Sequence, residues 1–305
     1  KNAGGNVSGA TVYVTLEPCC HYGKTPPCAN MLAEHNVSRV VAGMEDPNPI
    51  VNCKGLSFLR SRGIECVSGI LESDCKWLNR GFIRRMKSSR PWVTIKSGIS
   101  TDGNISLADG SSKWITNELS REKVHMLRAE CDAVLTGAGT VCSDNPRLNV
   151  RDAEGRTPMR VLLDRKFLSP SDAAFFEGEN IVIFTGQDAP TDKMDLMRSR
   201  GISVIQIKAQ PQDEIDFVME KLCEFGVNYL LVEAGSHLTS SVISSGCADE
   251  IALFAAPKIL GGGIRFSEYV RAESIDKASA LRDIRCEPVG TDLFIRGVFS
   301  CSPDL

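Results

Sequence analysis

The chain predicts an α/β protein of two domains, and three observations carry that expectation. Its 305 residues are enough to bury two separate cores. Short apolar runs of strand length alternate with helix-length stretches, the pattern of a parallel sheet covered by helices. The polar stretch Arg84-Arg85-Met86-Lys87-Ser88-Ser89-Arg90-Pro91 interrupts that alternation, and its proline ends any helix entering from the left. We therefore assign residues 1–88 to a first domain and 89–305 to a second. The basic run between them reads as a solvated connector rather than a binding patch.

In the first domain, residues 12–16, 37–43 and 64–69 read as short buried strands, with helices around 29–34 and 55–62. After Pro91, strands are expected at 92–97, 133–136, 160–164, 180–185, 203–207, 229–233, 250–256 and 293–299. Thr116 is placed to cap the helix that follows, with Glu118 in the first turn, where the helix dipole favours an anion. Val124, Leu127 and Cys131 recur at i, i+3 and i+7 as one buried stripe. No internal repeat or low-complexity segment stands out.

Composition excludes some classes. A net charge of −3 and a pI near 5.9 leave no basic footprint for nucleic acid. The longest apolar runs, such as 251–256, are too short to span a bilayer. Twelve cysteines scattered through an α/β chain of this size indicate a reduced, cytoplasmic enzyme rather than a disulfide framework. Cys66, Cys131, Cys223 and Cys286 read as small core hydrophobes.

The first candidate chemistry lies at Pro18-Cys19 and Pro27-Cys28. Two thiolates turned toward one point make half of a tetrahedral zinc site. Cys20, next to a ligand, should point elsewhere, and Glu17 suits a structural task at a strand end. Zinc deaminases add a histidine, followed two residues later by a proton-shuttling glutamate. None of His21, His35, His125 and His237 has a glutamate at that position. Either the chain starts late, the simpler expectation for a sequence opening on Lys1, or this domain does not deaminate.

The second domain carries several separated motifs. Lys96-Ser97-Gly98 precedes the bend Asp102-Gly103, and Trp114 lies in a polar, glycine-flanked loop before a helix. Thr136-Gly137-Ala138-Gly139-Thr140 follows an apolar strand, where glycines let backbone approach a ligand. It is not a Rossmann fingerprint. Asp144 serves either as a turn former before Pro146 or as a carboxylate that orients a sugar or handles its proton. Residues 229–241 read as strand, tight turn and helix, a phosphate-binding arrangement at Gly235 to Ser241. Glu233 ends the strand, where open α/β sheets place their chemistry. Arg165 lies just past another strand end. Gly261-Gly262-Gly263 reads as a mobile loop beside the site.

The cysteine pair, Asp46-Pro47-Asn48-Pro49, Asn79-Arg80-Gly81-Phe82 and the second-domain motifs together resemble the bifunctional deaminase–reductases of riboflavin biosynthesis, over nearly the whole chain. The eight residues between Cys19 and Cys28 match that branch rather than the shorter Cys-x-x-Cys of other zinc deaminases. The resemblance implies a cytidine-deaminase-like domain, incomplete here, followed by a dihydrofolate-reductase-like domain. It implies zinc-dependent deamination of a diaminopyrimidinone ribotide, then NADPH-dependent reduction of its ribose to a ribityl chain. By the same resemblance Cys19 and Cys28 hold Zn2+, and Lys96, Asp144 and Glu233 are catalytic. His21, Ser112, Arg128, Leu148, Arg151 and Glu233 meet substrate, Arg128 near its phosphate. Gly98, Trp114, Thr140, Asp144, Arg165, Gly235, Ser236, His237, Leu238, Thr239, Ser240 and Ser241 hold NADPH. Cys53 departs from the family, which usually has glycine there. A homo-oligomer that takes a small-molecule substrate, with no nucleic-acid or membrane partner, is expected. The rivals are a reductase whose first domain is a structural appendage and a non-catalytic zinc-stabilised scaffold.

Overall fold

The computed structural model describes residues 6–23, 25–49, 51–151 and 154–302. The chain divides into two units after Ser89.

In the first unit, β1 (Thr11–Val14), β2 (Arg39–Ala42) and β3 (Glu65–Ser68) pair in parallel in chain order, with Val12 opposite Val40 and Val40 opposite Cys66. The crossovers are α1 (Cys28–Glu34) and α2 (Lys54–Ser61). Val40 and Ala42 of the sheet pack with Ala29, Leu56 and Leu59 of these helices. Full burial of each leucine contributes about 2–3 kcal/mol. Glu17 explains how α2 starts. Its carboxylate, 3% exposed, accepts the N–H groups of Cys53 at 2.9 Å and Leu56 at 3.0 Å, which a helix start leaves without partners. The structural task expected for Glu17 is thus a helix cap. Gly55 is required there, since a Cβ would lie 1.9 Å from the Pro18 carbonyl oxygen. Cys53 adopts φ +61°, the conformation for which glycine is the usual residue.

Two helices follow, α3 (Glu72–Leu78) and α4 (Arg80–Ser88). The stretch expected to be a solvated connector is therefore largely helical. Gly81, Ile83 and Arg84 of α4 are buried, Arg84 with only 4% exposure. A long side chain buries its stem against neighbours, so a charged run does not by itself mark a solvated segment.

The second unit is built on one nine-stranded sheet. In chain order its elements are β4 (Trp92–Ser100), β5 (Asn104–Ser106), α5 (Glu118–Glu130), β6 (Ala133–Gly137), α6 (Ala138–Asp144), β7 (Met159–Leu163) and β8 (Ile181–Thr185). They continue with α7 (Thr191–Ser199), β9 (Ser203–Gln206), α8 (Glu214–Glu224), β10 (Tyr229–Val232), α9 (Ser236–Ser244), β11 (Glu250–Ala256), β12 (Ile264–Arg265), β13 (Leu281–Val289) and β14 (Asp292–Phe299). The sheet order is β13-β14-β11-β4-β10-β6-β7-β8-β9, parallel from β11 to β9 and antiparallel at the β13–β14 edge. Alternate residues face opposite cores. Leu230 and Val232 pack with Ile215, Val218 and Leu222 of α8. Leu231, between them, packs with Val124 and Leu127 of α5 and Met197 of α7. Burial on both faces is why these strands read as continuous apolar runs. One cap differs from expectation: Asn117, not Thr116, starts α5, its Oδ1 accepting the Ser120 N–H at 2.9 Å.

Candidate active site

The site grows from strand register. β4 and β10 run parallel with Ile95 opposite Val232, so the next residues, Lys96 and Glu233, lie side by side. Lys96 Nζ donates to Glu233 Oε2 at 3.1 Å. Arg128, in the last turn of α5, sets its fork on the same carboxylate, with Nη2 donating to Oε2 at 2.9 Å and Nε to Oε1. Its Nη1 donates to the Asn149 carbonyl at 3.2 Å. Burial pushes the Glu233 carboxyl up. Arg128 and then Lys96 outweigh that and hold it at about 2. The carboxylate is therefore ionised throughout the neutral range, although only 7% exposed. The fork of Arg128, expected near a substrate phosphate, donates to Glu233. Its position makes it an orienting group for that carboxylate.

Two residues beyond Glu233, Gly235 caps α9 and donates its N–H to Thr140 Oγ1 at 3.2 Å. This contact brings α6 alongside. Asp144 lies one turn after Thr140 on the same helix face. Its Oδ1 accepts from Ser112 Oγ at 3.4 Å, and its carbonyl accepts from Lys113 Nζ at 3.2 Å. These contacts, joined through the short steps from Glu233 to Gly235 and from Thr140 to Asp144, bring Lys96, Arg128, Glu233, Gly235, Thr140, Asp144 and Ser112 into one region.

The expected cradle from Gly235 to Ser241 is narrower than its seven residues. The first intrahelical bond joins Thr239 N–H to the Gly235 carbonyl at 3.1 Å, so the N–H groups of Ser236, His237 and Leu238 precede the helix's own ladder. The side chains further along have other tasks. Ser236 Oγ and Ser240 Oγ accept the N–H groups of Glu268 and Tyr269. Thr239 Oγ1 donates to Ala234, Ser241 Oγ donates to His237, and Leu238 is buried. His237 stacks on Tyr269 with ring centroids 3.9 Å apart.

The remaining residues are placed less tightly. Gly98 faces Thr116, whose Cγ2 would lie 3.1 Å from an added Cβ. Trp114 is 63% exposed, with the Arg121 guanidinium 4.6 Å from its ring. Leu148 is in the core at 5% exposure. Arg151 is exposed. Arg165 pairs with Glu214 at 3.6 Å. Sequence reasoning missed Lys258, whose Nζ donates to the Trp114 carbonyl at 2.8 Å, and Tyr269. Neither residue sits in a motif that would have signalled it.

In the first unit, Cys19 and Cys28 are adjacent, with Cys28 N–H donating to Cys19 Sγ at 3.3 Å. Burial, and then the neighbouring Cys19, push the Cys28 thiol up. His21 is half-buried, with Nδ1 enclosed and without a hydrogen-bond partner. Among the described residues no group of three His, Cys, Asp or Glu side chains is arranged to hold a metal. The residues present therefore do not make up a full zinc-binding set.

Comparison with known proteins agrees with this architecture. Residues 91–295 match the family described as the RibD C-terminal domain. The riboflavin biosynthesis protein RibD of Actinobacillus pleuropneumoniae is 36% identical over 296 residues, which cover 95% of this chain and 78% of that protein. The solved structure of Acinetobacter baumannii RibD has a TM-score of 0.86 at 34% identity, over 98% of this chain and 83% of that one. A diaminohydroxyphosphoribosylaminopyrimidine deaminase/5-amino-6-(5-phosphoribosylamino)uracil reductase from Thermotoga maritima gives 0.84 at 34% identity, over 98% and 82%. The second unit has the dihydrofolate-reductase-like α/β fold that the family resemblance implied. With a family match across two-thirds of its length and relatives aligned over nearly all of it, the chain belongs to the RibD family of riboflavin biosynthesis proteins.

Proposed function

We propose that the second unit is an NADPH-dependent reductase that converts the ribose of 5-amino-6-(5-phosphoribosylamino)uracil to its ribityl form. The observation that supports this most is the Lys96–Glu233–Arg128 cluster around a buried carboxylate at the carboxyl end of β10, two residues from the cap of α9.

The residues fit a dinucleotide. The N–H groups of Ser236, His237 and Leu238 and the positive end of α9 suit a phosphate, and Trp114 offers an exposed aromatic face. NADPH, when bound, supplies the hydride. The chain's own groups do the rest. Arg128 fixes the Glu233 carboxylate, and Glu233 fixes Lys96 Nζ, whose remaining hydrogens are aimed by that contact. Lys96 is thereby placed to donate to the sugar oxygen as negative charge develops on it. Asp144 and Ser112, in contact with each other, orient the sugar hydroxyls.

The first unit is read as deaminase-type. Cys19 and Cys28, which lie side by side, would supply two of the ligands such a zinc site takes. The test of the reductase is direct. Protein, NADPH and 5-amino-6-(5-phosphoribosylamino)uracil are combined, and loss of NADPH absorbance is followed together with formation of the ribitylamino product. Oxidation coupled to that product is the expected result, and its absence at saturating substrate refutes the reading.

A further inference from the structure

We propose that Asp102 is a positioning residue for the dinucleotide site: its carboxylate latches the strap of residues 257–270, and the strap fixes both Trp114 and the first turns of α9. The inference rests on the reading of that region as the NADPH site.

Asp102 lies in the turn between β4 and β5. Oδ1 accepts the Leu260 N–H at 3.1 Å and the Ser100 hydroxyl. Oδ2 accepts the Gly261 N–H at 2.8 Å and Asn104 Nδ2 at 2.9 Å. Asn104 also donates to the Gly261 carbonyl at 3.0 Å, doubling the tie. The Ser100 hydroxyl first, then the Leu260 N–H, hold the carboxyl down at about 2. A turn aspartate usually serves its own turn. This one also carries two N–H groups from a segment more than 150 residues away.

The glycine run expected to be mobile is fitted against that junction. Gly261 has φ +74°, and a Cβ on Gly263 would lie 2.1 Å from the Ser106 carbonyl oxygen. β12 then pairs antiparallel with β5, and Phe266 N–H donates to the Gly103 carbonyl at 3.2 Å.

On either side of the latch the strap reaches the proposed cofactor site. Upstream, Lys258 Nζ donates to the Trp114 carbonyl at 2.8 Å. Downstream, the Glu268 and Tyr269 N–H groups donate to Ser236 Oγ at 2.9 Å and Ser240 Oγ at 3.2 Å, and the Tyr269 ring stacks on His237. The loop bearing Trp114 and the start of α9 therefore share one support, and that support is tied to Asp102.

Asp102→Asn tests the latch with almost no change in shape. Whichever way the amide turns, its NH2 faces a backbone N–H that can only donate: Leu260 on one side or Gly261 on the other. Two readouts are taken on the full chain: amide hydrogen exchange without cofactor, and NADPH affinity by calorimetry. Exchange should rise in residues 257–270 and at the start of α9. NADPH Kd and KM should rise roughly 2- to 30-fold while kcat at saturating NADPH and Tm stay close to wild type. Lys258→Met, which cuts only the link to Trp114, should give a smaller rise, and the double variant should fall short of additivity. Unchanged exchange at α9, an unchanged Kd, or full additivity overturns the proposal. Should Asp102→Asn fail to fold, Lys258→Met decides alone, a raised Kd supporting the latch and an unchanged one rejecting it. If wild-type protein binds no NADPH, the functional reading fails, and exchange in the cofactor-free protein still judges the latch.

Discussion

Glu233 and Glu250 are the same residue type in the same sheet, both buried and both held by an arginine, yet they sit at opposite ends of the parallel strands. Glu250 begins β11 opposite Thr94 of β4, at the amino end. It accepts from Trp92 Nε1 at 3.1 Å, Thr94 Oγ1 at 3.0 Å and Arg296 Nη2 at 3.2 Å, and its neighbour Asp249 is held by Arg90 and Ser302. Glu233 follows the carboxyl end of β10, and its second cationic partner is Lys96. The amino-end carboxylate is thus tied into three strands, β4, β11 and β14. The carboxyl-end one aims a flexible amine beside a helix start. Burial and an arginine fork are common to both, so neither marks a reactive site. What distinguishes Glu233 is strand polarity, because helices following parallel strands begin at the carboxyl ends and present their unpaired N–H groups there.

The widest gap between the two ends should appear on replacing Lys96. Lys96→Met should lower turnover by roughly 10²- to 10⁴-fold, with Glu233 still held by Arg128 and stability little altered. Steady-state kinetics alongside thermal unfolding will show this, and near-normal turnover would break the contrast. Next, Glu250→Ala should cost about 1–3 kcal/mol by leaving the half-buried Arg296 without its carboxylate, while kcat per folded molecule is retained. Urea unfolding with an active-site titration separates the two quantities; a selective loss of kcat there would place chemistry at the wrong end.

Acid should sharpen the comparison further. The folded pKa of Glu233, about 2, lies below the ordinary 4.5. Its contribution to stability is therefore complete above pH 4.5 and is lost as pH falls toward 2, with a size on the order of 3 kcal/mol. The stability difference between wild type and Glu233→Gln should shrink across that window, and a difference independent of pH would contradict the ion-paired state. The smallest effect calibrates the scale away from both carboxylates. Cys53→Gly, at φ +61°, should stabilise the first unit by about 0.5–1 kcal/mol, read as a small rise in denaturation midpoint. A loss of stability there would mean that the Cys53 side chain contributes packing.

Much of the fold was legible because parallel strands buried on both faces leave uninterrupted apolar runs. Residues 133–136, 180–185 and 250–256 announce β6, β8 and β11 in this way. The long edge strand β13 escaped for the opposite reason: Arg282 to Pro288 is largely exposed, shows no alternation and contains a proline that an edge strand tolerates. The candidate site was legible in part. Glu233 could be suspected from its place at a strand end, but its pairing with Lys96, 137 residues away, came from strand register and not from any local pattern. The fork of Arg128 shows its partner only in three dimensions. Asp102 read as an ordinary bend for the same reason, since its partners are backbone N–H groups, which no residue type advertises.

The most direct measurement compares kcat and unfolding free energy for Glu233→Gln and Glu250→Gln, prepared and assayed together with NADPH and the phosphoribosylaminouracil. The account predicts that Glu233→Gln loses turnover far beyond its loss of stability, while Glu250→Gln loses stability and keeps the turnover of its folded fraction. Equal turnover in the two folded variants would contradict the assignment of chemistry to the carboxyl end of the sheet.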